Sequence, residues 1–127
     1  MNKLRILHLE DNANDAFLIA LALQRGGLDF DRVLASHPED FIAAIHDRSF
    51  DLILLDDGMP GFNGQDALVM ARELQPTVPV IFVSGAGDEK RIANNLKNGA
   101  RDHILKDKLS QLPGAIMRVQ AEKISKI

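Results

Sequence analysis

The stretch Asp51–Gly64, DLILLDDGMPGFNG, decides the fold of this chain. Its apolar run, Leu52–Leu55, lies between charged residues, which is typical of a strand buried on both faces of a parallel sheet. Asp56 and Asp57 end the run, and glycine, proline and asparagine then interrupt regular structure. Because ligands of open α/β sheets bind at the carboxyl ends of the strands, Asp56 is the first candidate for chemistry. The alternative is that Asp56 only caps the loop.

Outward from this stretch, short apolar runs alternate with amphipathic segments along the whole chain. The pattern predicts four further strands, at Leu4–Leu9, Phe30–Ala35, Pro79–Ser84 and Asp102–Leu105. It predicts helices over residues 15–25, from Ser36 to 47, over 65–75, over 88–98 and after Ser110. Such β-α alternation predicts an α/β fold, a five-stranded parallel sheet with helices on both faces and right-handed crossovers.

Particular residues are expected to begin the helices. The predicted caps are Asn12 or Asn14, Ser36 in a capping box with Glu39, Asn63, Asp88 and Ser110. The first helix carries apolar residues at 17, 18 and 21 and, less regularly, at 19, 20, 22 and 23. The inward faces of the later helices are expected to include Phe41, Ile42 and Ile45, then Ala67, Leu68, Ala71 and Leu74, and finally Leu112, Ile116 and Val119. Gly99 is expected to end the fourth helix. Its few apolar anchors, Ile92, Ala93 and Leu96, suit an element that moves.

Size and composition exclude several classes of protein. A chain of 127 residues fits one domain, with a core over 4–121 and a polar extension after about residue 121. The absence of cysteine excludes disulfides and thiolate sites, and a net charge of -3 offers no footprint for direct nucleic-acid binding. No apolar run is long enough for a membrane span and no secretory signal is recognisable, so a cytoplasmic protein is predicted.

Polar residues gather where the predicted strands end. They are Glu10 and Asp11 after the first strand, Asp56 after the third, Ser84 on the fourth and Lys106 after the fifth. Clustered carboxylates repel, so one should have a raised pKa unless a cation such as Mg²⁺ is present. Lys106 and Ser84 suit the oxygens of a phosphoryl group. A nucleophilic carboxylate, a metal and a cation are the components of in-line phosphoryl transfer.

These motifs resemble the receiver domain of two-component response regulators, from Leu4 to about Val119. The acid pair, the acceptor loop LLDDGMPGFNG, Ser84 followed by small residues, and GARDHILK ending at Lys106 occur in the family's order. The resemblance implies the (βα)5 flavodoxin-like receiver fold. The segment KDKLSQLPGAI, residues 106–116, resembles receivers found beside sensory and histidine-kinase modules more than those fused to DNA-binding domains.

The resemblance also implies a function. Mg²⁺ or Mn²⁺ would bind Asp11, Asp56 and the carbonyl of Gly58, with Glu10 mostly through water. Asp56 would accept a phosphoryl group from a histidine kinase or a histidine phosphotransfer protein. Ser84 and Lys106 would then move towards that group, changing the surface around the fourth helix and fifth strand for a protein output partner. The chain would be a monomer or weak dimer and would not be a turnover enzyme.

Four positions depart from the pattern or extend it. His103 stands where the family usually has a switching Tyr or Phe, and it is either a switch residue with Ser84 or only a half-buried strand residue. Asp107 stands where proline usually follows the lysine, so a trans bond with an altered loop or a strained cis bond is expected. Asp57 should point away from Asp56 into solvent. Gly58 leaves the acceptor open to water.

Other functions remain open. A receiver-like docking module that is not phosphorylated is the main alternative, although all five residues of the site are present. An aspartyl-phosphate phosphatase generally needs an acid where this chain has Gly58. A flavin-binding domain of similar shape would need a phosphate-cradling loop after the first strand and aromatic residues that this chain, with six Phe and no Trp or Tyr, does not supply.

Overall fold

The computed structural model describes residues 3–85 and 89–125, with side chains to residue 123. Its centre is a parallel five-stranded sheet of order β2-β1-β3-β4-β5. The strands are β1 (Leu4–Leu9), β2 (Phe30–Ala35), β3 (Leu52–Leu55), β4 (Val80–Ser84) and β5 (Asp102–Leu105). The predicted fold class is confirmed, and only β4 begins one residue later than expected.

Helices cover both faces of the sheet. They are α1 (Ala13–Arg25), α2 (Pro38–Asp47), α3 (Gly64–Leu74), α4 (Glu89–Lys97) and α5 (Leu112–Ser125), with a 3₁₀ segment at Lys106–Gln111 before α5. Alternation along β3 explains the two layers, because Ile53 and Leu55 join one apolar cluster with α2 and α3, whereas Leu52 and Leu54 join a second cluster with α1 and α5. Burial on both sides is why the strand is apolar throughout.

The helix starts were predicted with mixed success. Asn12 caps α1 and Asn63 caps α3, each through its side-chain oxygen. The capping box at Ser36 is wrong, because α2 begins at Pro38 and the residue at the cap, His37, makes no side-chain capping bond. Ser110 is not a cap either, since it lies inside the 3₁₀ segment that leads directly into α5. Asp88 lies outside the described residues.

The buried faces of the helices were predicted only in part. In α1 the buried side chains are Ala16, Ile19 and Leu23, whereas Phe17 is 64% exposed and Leu18 is also exposed. Apolar residues at almost every position of α1 hid the true face from periodicity alone. The α2 and α3 faces are predicted correctly except for Ile42 and Leu74, which lie at their exposed margins. The inward residues of α5 are confirmed.

Two further expectations concern α4 and the chain end. The buried residue of α4 is Asn95, whereas Ala93 and Leu96 are exposed and Ile92 is half-buried, so the apolar anchoring expected there is wrong. Gly99 follows with φ +114, as a helix-terminating glycine should. The polar end extends past residue 121 as helix, since α5 continues to Ser125. Within residues 3–85 and 89–125, no helix is long and apolar enough to cross a membrane.

Candidate functional site

The parallel register brings the predicted site residues to one edge of the sheet. Leu9 pairs with Leu55, and Ser84 pairs with Leu105, so the residues that follow these strands emerge side by side. Carboxylate oxygens of Glu10, Asp11 and Asp56 lie within 4.8 Å of one another. Three acids from two neighbouring strands therefore form one cluster, as the sequence predicted.

The cluster fits a hard divalent cation. Glu10 and Asp56 are buried, whereas Asp11 is exposed, so a metal here would contact both protein and solvent. Mg²⁺ prefers such a site, with one or two carboxylates and several retained waters. Gly58 is exposed, and its N–H donates to Asp56 Oδ1 at 3.0 Å, which holds the acceptor loop against the carboxylate.

Lys106 lies among the acids. Its Nζ is 2.7 Å from Glu10 Oε1, 2.9 Å from Asp15 Oδ2 and 3.6 Å from Asp56 Oδ2. Burial lowers the pKa of the Lys106 ammonium, but the hydrogen bonds to Glu10 and Asp15 outweigh it, and the pKa is raised overall. The lysine remains a cation that can neutralise charge beside Asp56.

Asp15 is a member of this cluster that the sequence analysis missed. It is the third residue of α1, and its backbone N–H donates to the cap residue Asn12 at 2.9 Å. The sequence contained a signal for Asp15. The first helix begins directly after the acid pair, so its first turn lies at the edge of the sheet where the acids gather.

The electrostatics agree with the expected repulsion among carboxylates. The pKa of Glu10 is raised to about 7, first by burial and also by the nearby charge of Asp56, while the hydrogen bonds from Lys106 and the Asn12 N–H act in the opposite direction. One acid with a raised pKa in the absence of a divalent cation is what the sequence predicted.

Ser84 and His103 form a pair beside the acids. Ser84 Oγ and His103 Nε2 are 2.6 Å apart, and the imidazole stacks on Phe82 with ring centroids separated by 5.9 Å. Burial lowers the pKa of His103, although the charges of Asp57 and Asp102 oppose this. His103 is half-buried, as one of the two interpretations expected, and it also contacts the predicted switch residue.

Two expectations about the loops are settled. Within the described residues no peptide bond is cis, so the Lys106–Asp107 bond is trans and the chain turns into the 3₁₀ segment instead. The expectation that Asp57 is solvated is wrong, since its side chain is only 4% exposed. Alternation does direct Asp57 to the opposite face from Asp56, but that face is covered: a Cβ on Gly64, the first residue of α3, would lie 2.6 Å from Asp57 Oδ1.

Helix α4 covers Asp57 from the other side. Asn95 Nδ2 donates to Asp57 Oδ2 at 3.0 Å, and Arg91 Nε lies 3.6 Å from the same oxygen. Neither residue was predicted as part of the site, because polar residues on a short, polar helix are expected to be exposed to solvent.

Comparison with known proteins extends these observations. The family model of the response regulator receiver domain matches residues 6–117. The regulatory protein LuxO of Vibrio cholerae is 34% identical over 98 residues, which cover 77% of this chain and 21% of LuxO. The DNA-binding response regulator MtrA of Mycolicibacterium paratuberculosis is 30% identical over 102 residues, which cover 80% of this chain and 44% of MtrA. This chain thus spans less than half the length of either relative.

The fold itself matches solved receiver domains. The CheY-like response regulator receiver domain protein from Methanospirillum hungatei has a TM-score of 0.86 at 24% identity, with 99% of this chain and 100% of that chain covered. The receiver domain of the Francisella response regulator 1452 has a TM-score of 0.81 at 21% identity, with 94% of this chain covered and 98% of that one. At these identities the structural match shows the fold alone. Sequence match, fold and the convergent strand ends agree: this chain belongs to the response-regulator receiver domains of two-component signalling.

Proposed function

We propose that this chain is a phosphorylation switch whose acceptor is Asp56. Receiver domains accept phosphoryl groups from histidine kinases and bind Mg²⁺ at an acidic pocket, which gives the proposal its general chemistry. The observation that carries it here is the placement of Asp56 Oδ2 3.6 Å from the Lys106 ammonium, in a cluster with Glu10 and Asp11. A retired site would have no need to keep a nucleophile, a cation and a metal-binding acid set together.

The chemistry is an in-line displacement. An oxygen of Asp56 attacks the phosphorus of a phosphohistidine on a histidine kinase or phosphotransfer protein, the P–N bond breaks as the P–O bond forms, and the imidazole leaves with a proton from solvent. Lys106 neutralises charge that develops on the phosphoryl oxygens. Mg²⁺, held by Asp11, Asp56 and the Gly58 carbonyl with Glu10 nearby, would supply further charge neutralisation and orientation.

The output follows from Ser84 and His103. The Ser84 hydroxyl, 2.6 Å from His103 Nε2, would turn towards the phosphoryl group and release its present contact with the imidazole. The surface around α4 and β5 would then change for a protein partner as a shift between two populated states. Gly58 provides no general acid or base, so the chain would catalyse no turnover beyond slow self-dephosphorylation. Cytoplasmic location and a monomeric or weakly dimeric state remain predictions.

Intact-mass spectrometry after incubation with acetyl phosphate tests the acceptor. One phosphoryl adduct is expected on the wild-type chain, dependent on Mg²⁺ and lost in Asp56→Asn. The matched control is Asp66→Asn, an exposed acid in the first turn of α3, which should keep the adduct. No adduct from acetyl phosphate or from a panel of phosphorylated histidine donors would favour the docking module that is never phosphorylated.

A further inference from the structure

The buried contact that helix α4 makes with the rest of the domain is polar. Asn95 is fully buried, and its amide donates to Asp57 Oδ2 at 3.0 Å. Arg91, one turn earlier, places Nε 3.6 Å from the same oxygen. Because residues four apart lie on the same face of a helix, one face of α4 holds one carboxylate. We call these three residues, Asp57, Arg91 and Asn95, the α4 clamp.

The apolar contribution to the docking of α4 is small within residues 89–97. Its apolar side chains contribute weakly, since Leu96 is 42% exposed and Ile92 is only half-buried. A cleft of about 700 Å³ is lined by the acceptor loop, the start of α3 and Arg91. The clamp itself is incompletely satisfied, because Asn95 Oδ1 is buried without a hydrogen-bond partner within the described part of the chain. Elements with few buried apolar contacts open locally at low cost in free energy.

The clamp acts on the centre of the proposed site. Asp57 lies between the acceptor Asp56 and Gly58, whose N–H donates to Asp56 Oδ1 at 3.0 Å. A side chain fixed at Asp57 therefore fixes the backbone on both sides of it. That backbone includes the Gly58 carbonyl, which the proposed function assigns to the metal.

We propose that Asn95 and Arg91 are positioning residues that act through Asp57, so that docking of α4 and binding of Mg²⁺ at the acidic site are coupled. The inference rests on the proposed function for the place of the metal. Coupling between two sites is reciprocal. Mg²⁺ at the acidic site therefore tightens the docking of α4, and a partner that pulls α4 away from Asp57 weakens the binding of Mg²⁺ by the same factor.

Removal of the Asn95 amide tests the coupling. The variant is Asn95→Ala, and the control is Asn94→Ala, which changes the exposed neighbour on the same helix. Calorimetric titration with Mg²⁺ should show affinity about fivefold weaker in Asn95→Ala, the lower end of typical couplings, and unchanged in Asn94→Ala. Amide hydrogen exchange over residues 89–98 should slow on addition of Mg²⁺ in the wild type and in Asn94→Ala, but not in Asn95→Ala. Equal Mg²⁺ affinity and equal exchange in the two variants would overturn the proposal.

Exchanging the carboxylate and the amide between Asp57 and Asn95 tests whether Asn95 acts through its hydrogen bond or only through packing. Asn95→Asp keeps the side-chain size but sets a carboxylate against Asp57, and exchange over 89–98 should become about tenfold faster. The double variant Asp57→Asn with Asn95→Asp restores a charge-assisted bond of opposite direction, and exchange should return to within about threefold of the wild type. Failure of the double variant to slow exchange, with far-UV circular dichroism showing a native fold, would mean that Asn95 only fills space.

The clamp and the proposed function fail separately. The exchange and Mg²⁺ measurements contain no phosphodonor, so absence of an adduct on Asp56 would refute the phosphorylation switch and leave the clamp standing. A normal adduct together with identical Asn95→Ala and Asn94→Ala variants would refute the clamp alone.

Discussion

Asp15 provides a sharp test of the ion-pair cluster, because the chain contains a natural control for it. Asp15 is the third residue of α1, and Asp66 is the third residue of α3; both helices begin with an asparagine cap. Asp15 Oδ2 lies 2.9 Å from Lys106 Nζ, whereas Asp66 has no ion pair within residues 3–85 and 89–125. Comparing Asp15→Asn with Asp66→Asn therefore isolates the contact with Lys106.

The magnitude follows from the two environments. Each substitution removes a carboxylate from the first turn of a helix, which costs about 0.3–1 kcal/mol in either case. Only Asp15→Asn also removes a charged hydrogen bond to a lysine that is 16% exposed, with Asp15 itself 32% exposed. Such a pair contributes more than the exposed-pair range of about 0.2–1 kcal/mol, and less than about 3 kcal/mol. The expected excess destabilisation of Asp15→Asn over Asp66→Asn is about 1–1.5 kcal/mol.

Urea unfolding followed by far-UV circular dichroism measures this difference without tryptophan. The same pair of substitutions in a Lys106→Met background completes a double-mutant cycle, and there the excess should vanish. Equal free energies of unfolding for the two single variants would refute the argument. So would an excess that persists without Lys106, since the destabilisation would then arise elsewhere in α1.

Two further perturbations test the surroundings of the site. Burial lowers the pKa of His103, so the unfolded chain takes up the proton first and stability present above about pH 6.5 is lost as pH falls below it. His103→Phe should reduce the loss of unfolding free energy between about pH 6.5 and pH 5, and an unchanged slope would contradict the burial of the ring. Gly64→Ala should destabilise by about 1–3 kcal/mol, because its Cβ would lie 2.6 Å from Asp57 Oδ1. Gly58→Ala, whose Cβ would lie 3.7 Å from the nearest atom, should be nearly neutral in thermal unfolding, and equal losses in the two variants would show that the tight packing at Gly64 does not matter.

The sequence predicted the sheet and the acid cluster because both depend on local patterns. An apolar run such as Leu52–Leu55 specifies a doubly covered strand, and parallel strands must then end at the same edge. Those two rules place Glu10, Asp56 and Lys106 together without any knowledge of side-chain packing. The bonds at Asn12 and Asn63 are equally local, since a cap reaches only two or three residues along the chain.

The predictions that failed concern how helices pack against the sheet and against the acceptor loop. Periodicity could not choose the buried face of α1, where apolar residues occur all round the helix and Phe17 is nevertheless 64% exposed. The cap predicted at Ser36 failed because proline at position 38 already begins the helix and His37 takes the cap position. Alternation along the strand predicted correctly that Asp57 points to the opposite face from Asp56, but it could not predict that α3 and α4 cover that face.

The case of Asp57 shows how a polar contact between distant residues escapes sequence analysis and yet underlies the proposed coupling. Asp57 and Asn95 are 38 positions apart, and each alone resembles an ordinary surface residue. Together they bury a charge, which is tolerated only when hydrogen bonds compensate for lost hydration. A hydrophobic anchor would fasten α4 more firmly but would give the acceptor loop no influence over it. A hydrogen bond that depends on direction and distance makes the docking of α4 sensitive to small displacements of residues 56–58, the part of the chain that phosphorylation would alter.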